Sequence, residues 1–578
     1  MEKEIKICQN CQQNFVIESE DFGFYDKMKV PPPTWCPECR AVRRFSFTNT
    51  WNLYKRKCAQ CGINIFSMFS SDKPHVVYCM PCWWGDSWDG TEYAMDYDPA
   101  KTFFEQVREL TLKTPWQTLT NLYTMHINSP YVNANGPAKN CYMTFWADYC
   151  ENVFYSSYLN KLKDSLDCYR AKESELCYEG VGLNKCYRTF FSEECDSCAD
   201  TWFSRSCTGL VNCFGCINLR NKSYYIFNEK YSPEEYFKKL KEFDLYSRQS
   251  LEEIRRKVQQ FWLKYPRKFY IGSAFNKNVT GDYIYESKNA LDCYLVSGAE
   301  DCRYSQFINV ASAKDCYDYT GWGDGSERIY ESSVVGLGAS NVKFSNECWP
   351  NAFNVEYSIF VNSGKDCFGC VNLKKKQYCI LNKQYSKKDY EKIKAVIVSD
   401  MDKNPYIDER GRIWKYGEFL PLDFSPFAYN ETNAQKYFPK TKAEALDQGL
   451  RWYEKEPSQY VITEKAGDLP DTIEATNEEI IKEVIECSIC FKAYRFTSEE
   501  VNLMKQLKLP LPQQCFFCRE KFRFTRTNSP KLYDGVCMCR KENHSNHAGQ
   551  CEIEFKTTYA PERPEIVYCE QCYQQEVA

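Results

Sequence analysis

The chain has 578 residues, too many for one hydrophobic core, so several structural units are expected. Its net charge of −4 gives no global basic signature for nucleic acid, and no apolar run approaches the ~18 residues that a membrane span needs. The start, MEKEIKICQN, is charged and lacks an apolar leader core, so the 34 cysteines are expected in a reducing cytosol, as metal ligands or buried thiols rather than disulfides.

Residues 1–50 carry two C-x-x-C pairs, Cys8/Cys11 and Cys36/Cys39, and residues 51–92 carry Cys58/Cys61 and Cys79/Cys82. Two such knuckles supply four thiolates and close a tetrahedral zinc shell with no open position. Within the first unit Phe22, Tyr25 and Met28 fall at i, i+3 and i+6, one face of a short helix, and Pro31 and Pro33 brake it before the second knuckle. The stretch CWWGDSWDG, residues 82–90, reads as a packing pad. A helical or extended connector is expected over 93–135.

Cysteines then recur at 141, 150, 168, 177, 186 and 195, a nine-residue unit with one beat skipped. Nine residues would put successive cysteines on opposite faces of a helix, and an odd spacing would also flip them along a strand. One strand and one turn per unit keeps them aligned, so two units, 18 residues, are expected to form one coil of a parallel β-solenoid over 136–229. A second array is expected over 276–383, with Cys293, Cys302 and Cys316. Both arrays end alike: NCFGCINL, with Cys213 and Cys216, returns as DCFGCVNL, with Cys367 and Cys370. Each ending leads into a helix. Ser232-Pro-Glu-Glu opens a helical insertion, 230–275, with a capping box, and Ser386 with Asp389 makes a weaker start. These helices are suited to cover open solenoid edges. Residues 384–480 read as a strap or linker in which Thr441 and Glu444 cap a helix that Gly449 ends, and a further helix is expected near 477–485.

Residues 481–530 repeat the opening unit. A single shift of 479 residues carries Cys8, Cys11, Cys36, Cys39 and Cys58 onto Cys487, Cys490, Cys515, Cys518 and Cys537. The same shift carries Arg40, Arg44, Phe45, Thr48 and Asn49 onto Arg519, Arg523, Phe524, Thr527 and Asn528. In the last unit, 531–578, PEIVYCEQC with Cys569 and Cys572 matches PHVVYCMPC, but an insertion holding Cys539, His544 and His547 precedes Cys551. The fourth site therefore has surplus candidates. Cys551, Cys569 and Cys572 take either Cys537, which the shift favours, or Cys539, from which the insertion has a shorter span to close. Cys539 is taken as the ligand, and His544 and His547 as a solvated loop.

The knuckle pattern with CPECR and its basic tail resembles the zinc-ribbon modules of many bacterial proteins. The order of ribbons, YCMPCWWGDSWDG, a Cys/Tyr-rich middle, CFGCVNL, YGEF, SPFAYNET and RPEIVYCEQCYQQEV is similar to large uncharacterised zinc-ribbon and Cys-repeat proteins of candidate-phyla bacteria. That resemblance brings no activity and no catalytic residues with it.

The expected architecture is therefore mainly β with a small α component: duplicated zinc-ribbon pairs flank two Cys-laddered solenoid segments with helical caps. The cofactor is expected to be Zn²⁺, about four per chain. The inward cysteines read as small core residues, with redox sensing or metal storage as the sharper alternative. No G-x-S-x-G, P-loop or dinucleotide fingerprint appears, so catalysis is not expected, although a solenoid groove could hold a carboxylate pair. Arg40, Arg43 and Arg44, then Arg519, Lys521, Arg523 and Arg526, interleave with Phe45, Phe47, Phe522 and Phe524. That strip offers nucleic-acid binding as an alternative to a solvated basic face. The leading expectation is a non-enzymatic, zinc-dependent scaffold or adaptor for an undetermined protein, RNA or DNA partner.

Overall fold

From Tyr155 to Arg170 every third residue has a left-handed backbone: Tyr155, Tyr158, Lys161, Asp164, Asp167 and Arg170, with φ from 45° to 59°. The intervening set, Val153, Ser156, Leu159, Leu162, Ser165 and Cys168, is buried. In this computed structural model, which describes residues 2–455 and 460–577, the chain thus turns a corner every three residues and sends one side chain inward per side. Four sides make a coil. Parallel pairing sets Ser157 beside Tyr169, and Ala199 beside Val211 and then Ser223, a rise of one coil per 12 residues. The second array has the same construction with some longer coils, pairing Ala313 with Ser326, Glu327 with Ser340, and Lys365 with Gln377.

The 18-residue coil expected from cysteine spacing is therefore replaced by one of 11 to 14 residues, most often 12 or 13. Nine residues are three sides of a four-sided coil, so successive cysteines step around the core instead of stacking in one ladder. Each is still inward: Cys141, Cys150, Cys168, Cys177, Cys186 and Cys195 are all buried.

A left-handed corner costs a non-glycine residue roughly 1–2 kcal/mol, and each corner here is held by a ladder to the next coil. Asn140 donates to Asn152, and Asn152 to Asp164, so short amide and carboxylate side chains stack where that backbone suits them. Inside, Ser165 Oγ donates to the Lys163 carbonyl at 2.7 Å and accepts from the Cys177 amide at 2.9 Å. Ser156 and Ser174 accept likewise from Cys168 and Cys186. The interior is small and mixed because a three-residue side leaves no room for more.

Each array ends on an antiparallel strand pair followed by a helix. Ser223–Ile226 with Glu229–Lys230 leads to the Pro233–Leu240 helix, and Gln377–Ile380 with Lys383–Gln384 leads to the Lys387–Lys403 helix. Ser232 and Ser386 cap these helices through the Glu235 and Asp389 amides. Glu478–Lys482 is a single 3-10 turn rather than the helix expected near 477–485. Among the described residues no helix is long and apolar enough to cross a membrane.

The two arrays lie side by side. Phe307 of the second packs on Tyr158 of the first, ring centroids 5.0 Å apart, and Arg170 of the first stacks 3.7 Å over the Tyr283 ring of the second. The terminal modules dock crosswise on this pair. The Pro37–Phe45 helix of the N-terminal module lies on the second array, where Arg40 and Arg44 meet Asp318 and Arg43 meets Glu331. The Phe516–Thr525 helix of the C-terminal module lies on the first array, where Arg519 and Arg523 meet Asp167. The second unit of each module pairs with a segment outside the arrays. Val77–Tyr78 pairs in parallel with Trp116–Gln117, and Val567–Tyr568 with Arg267–Lys268. The strap closes the gap between modules. Its Lys436 lies 3.3 Å over the Trp51 ring of one and bonds Glu520 of the other at 2.5 Å, and burial lowers this ammonium to about 7. Residues 1, 456–459 and 578, which fall in the expected first ribbon, strap and last ribbon, lie outside the described residues.

Candidate metal centres

Each knuckle pair is built from a hairpin and a helix start. In the first module the strands Glu4–Ile7 and Asn14–Ile17 pair antiparallel, and the turn between them carries Cys8 and Cys11, with Gln12 at φ 60°. Cys36 is the N-cap of the Pro37–Phe45 helix and Cys39 lies in its first turn. The hairpin Tyr54–Lys57 with Asn64–Ser67 presents Cys58 and Cys61, and Cys79 caps the Met80–Trp84 helix. Cys515 caps the Phe516–Thr525 helix, and Cys569 directly precedes the Glu570–Val577 helix. A helix N-terminus favours negative charge, so half the ligands of each site sit where a thiolate is stabilised.

Four groups of sulfurs converge. Cys8, Cys11, Cys36 and Cys39 form one; Cys58, Cys61, Cys79 and Cys82 a second; Cys487, Cys490, Cys515 and Cys518 a third; Cys537, Cys551, Cys569 and Cys572 a fourth. Within each group all four Sγ atoms lie within 4.8 Å of one another. A tetrahedron of sulfurs about 2.3 Å from a zinc-sized ion has edges of about 3.8 Å. The Cys11–Cys36 and Cys61–Cys79 separations are 3.8 Å, and Cys490–Cys515 is 3.6 Å. All of these cysteines are free of disulfides.

Backbone amides support the charged form. The Cys36, Cys79, Cys515 and Cys569 amides each donate to the first sulfur of their group, Cys8, Cys58, Cys487 and Cys537, at 3.2 Å. Burial opposes ionisation of Cys58, but amides of Cys61, Cys79 and Gln60 bring it down to about 6; the corresponding balance at Cys487 gives about 7.

That repeated amide bond also decides the fourth site. Cys537 receives it, as Cys58 does, and Cys539 does not. The tetrad is completed by Cys537 and not by the expected Cys539, whose sulfur groups instead with His544, His547 and Cys572. The reason is that the chain bulges after Cys539: Cys537 keeps the hairpin position, its amide bonding the Ile553 carbonyl, and the Cys551 amide returns to the Cys539 carbonyl. The alignment at a shift of 479 already carried this signal. His544 is 5% exposed and bonds Glu576, so the solvated-loop reading of the insertion does not hold for it.

The solenoid cysteines form no such group among the described residues. Their sulfurs donate to carbonyls, Cys168 to Leu166 at 3.6 Å and Cys195 to Glu193 at 3.4 Å. Burial pushes the Cys141 thiol up to about 11 and Cys168 to about 12, so both remain protonated.

Most of the arginines of the basic strips are not on the surface. Arg40, Arg43, Arg44, Arg519 and Arg523 are buried and ion-paired, Phe45 and Phe47 are buried in apolar packing, and Phe522 and Phe524 are half-buried. Arg526 bonds Glu193 at 2.7 Å, while Lys521 is exposed.

No family model and no curated protein matches the chain. Among solved structures, one that its own description assigns as an acetyltransferase, from Desulfovibrio desulfuricans G20, aligns with 50% of this chain and 84% of its own at 9% identity, with a TM-score of 0.09, which carries no argument about fold or activity.

Proposed function

We propose that this chain is a non-enzymatic, zinc-dependent scaffold or adaptor that presents the exposed faces of a double solenoid to a macromolecular partner in the cytoplasm. The observation that carries the reading is the closure of the four sulfur tetrads. Four thiolates leave a zinc ion no position for water or substrate, which is the structural form of the site and not the catalytic one. Spacing, sulfur separations and amide donors all suit zinc among the metals that thiolates select.

Two alternatives have less support. The arginines that suggested nucleic-acid binding are spent on carboxylates of the solenoid flank. A thiol-based metal buffer needs accessible sulfur, and the solenoid thiols are buried and, among the described residues, converge on no shared set of ligands.

The test has two arms. Metal analysis of protein purified without chelator should return zinc at all four tetrads; iron, or a chain devoid of metal, refutes the zinc assignment. Native complexes cross-linked in the source cell should then be recovered from intact protein and lost after chelation. Turnover of a substrate in a solenoid groove, or tight nucleic-acid binding with a steep salt slope, would replace the scaffold reading.

A further inference from the structure

The insertion that sets the last ribbon apart holds a second constellation of donors. Cys539, His544, His547 and Cys572 bring their ligand atoms within 4.8 Å of one another. Cys539 Sγ lies 3.2 Å from His544 Nδ1. The other face of that imidazole is fixed by Glu576, whose Oε1 lies 3.0 Å from Nε2. A carboxylate behind a histidine is the usual way of orienting a metal-ligating ring and raising its basicity. His547 adds the independent observation. Both its ring nitrogens are shielded from solvent and neither has a hydrogen-bond partner. His547 as a whole is half-buried, yet two shielded ring nitrogens left unpaired are costly unless something else satisfies them.

Cys572 belongs to this group and to the Cys537, Cys551 and Cys569 tetrad at once. A thiolate has lone pairs enough for two metals. We propose that the last ribbon is a binuclear centre: one ion held by Cys537, Cys551, Cys569 and Cys572, a second by Cys539, His544, His547 and the same Cys572, whose sulfur bridges them. Both shells are closed and four-coordinate, and the second is of the Cys₂His₂ class. The surplus of donors in the insertion then has a use. The duplicated N-terminal ribbon, which lacks the insertion, keeps a mononuclear site. The inference adds a fifth ion to the four tetrads and rests on their binding metal.

The full chain, loaded with zinc and stripped of excess, is weighed by native mass spectrometry. Five ions are expected, falling to four in His547→Ala and in Cys539→Ser. Cadmium-substituted wild type should show scalar coupling between one pair of cadmium ions through the shared sulfur, lost in His547→Ala. Four ions in the wild type, or five with no cadmium coupling, overturns the bridged centre while leaving the tetrads intact; a metal-free chain overturns the tetrads themselves. Should His547→Ala release both ions of the ribbon, the wild-type coupling decides, its presence supporting the bridge and its absence overturning it.

Discussion

Asp318→Asn should undock the N-terminal module and leave the C-terminal one in place. Asp318 sits at a left-handed corner of the second array and accepts from Arg40 Nε at 2.9 Å and Arg44 Nη1 at 3.1 Å. All three side chains are at most 1% exposed. Around them Arg43 bonds Glu331 and Glu418, so the cluster holds three cations against three anions. The substitution leaves one buried positive charge uncompensated; Glu331, 3.8 Å from Arg44, is already committed to Arg43. Breaking a buried pair from one side costs about 3–5 kcal/mol. Charge-assisted bonds to two guanidiniums, at about 1.5–3 kcal/mol each, give a similar total. The nine-residue Pro37–Phe45 helix is too short to persist undocked, so its amides report the opening. At about 1.4 kcal/mol per tenfold, their hydrogen-exchange protection should fall by roughly two to three and a half orders of magnitude, with the Phe516–Thr525 amides unchanged. A fall of less than tenfold, or an equal fall in both helices, would refute the idea that these ion pairs hold the module on the array.

Chelation should unfold the ribbons, whose metal supplies on the order of 10–16 kcal/mol per site in isolated peptides, while the β signal of the arrays survives. Thiol labelling after chelation should then reach only the ribbon cysteines, half of the 34, and labelling of Cys168 or Cys177 in that state would contradict the inward placement. Ser165→Ala removes the acceptor of the Cys177 amide and should lower the stability of the first array by about 1–3 kcal/mol in chemical denaturation. Glu347 is buried and, among the described residues, accepts a side-chain bond from the Trp349 indole alone, and burial pushes its carboxyl up to about 8. The folded state therefore holds this proton more tightly than the unfolded chain. Its contribution is fully present below about pH 4.5 and is lost as pH rises through about 8, a change on the order of 5 kcal/mol that Glu347→Gln should abolish in urea titrations across that range.

The metal sites were the most legible part of the sequence because their chemistry is local: C-x-x-C fixes two ligands by spacing alone. The last ribbon shows where that fails. Neither Cys537 nor Cys539 makes a C-x-x-C pair with Cys551, because the insertion separates them, and the choice turned on an amide donated by Cys569, a contact across the fold. The coil was misread for a different reason. Its inner positions recur every third residue but hold Ser, Leu, Ala, Val and Cys in turn, so no single residue type displays the period and the cysteines display three sides of it. The arginines were hardest of all. Arg40 and Arg519 look like a surface strip until Asp318 and Asp167 are brought to them from 278 and 352 residues away.

Crosswise docking gives the terminal modules a mechanical role that their chain positions conceal. An N-terminal ribbon resting on the nearer array would clamp one solenoid only. Here the N-terminal helix inserts its arginines into the second array and the C-terminal helix into the first. Each module thus ties the array far from it in the chain to its own end of the chain. Each helix starts on a metal-site cysteine, Cys36 or Cys515, so its first turn is fixed by the site and its flank by buried ion pairs. Metal held by these tetrads would thereby be coupled to the docking on the arrays through a few residues, and Lys436 of the strap ties the two modules together between Trp51 and Glu520. The closures use outward side chains of both arrays, Asp167 of the first and Asp318 and Glu331 of the second, so the proposed scaffold would act from the coil faces that the modules leave uncovered.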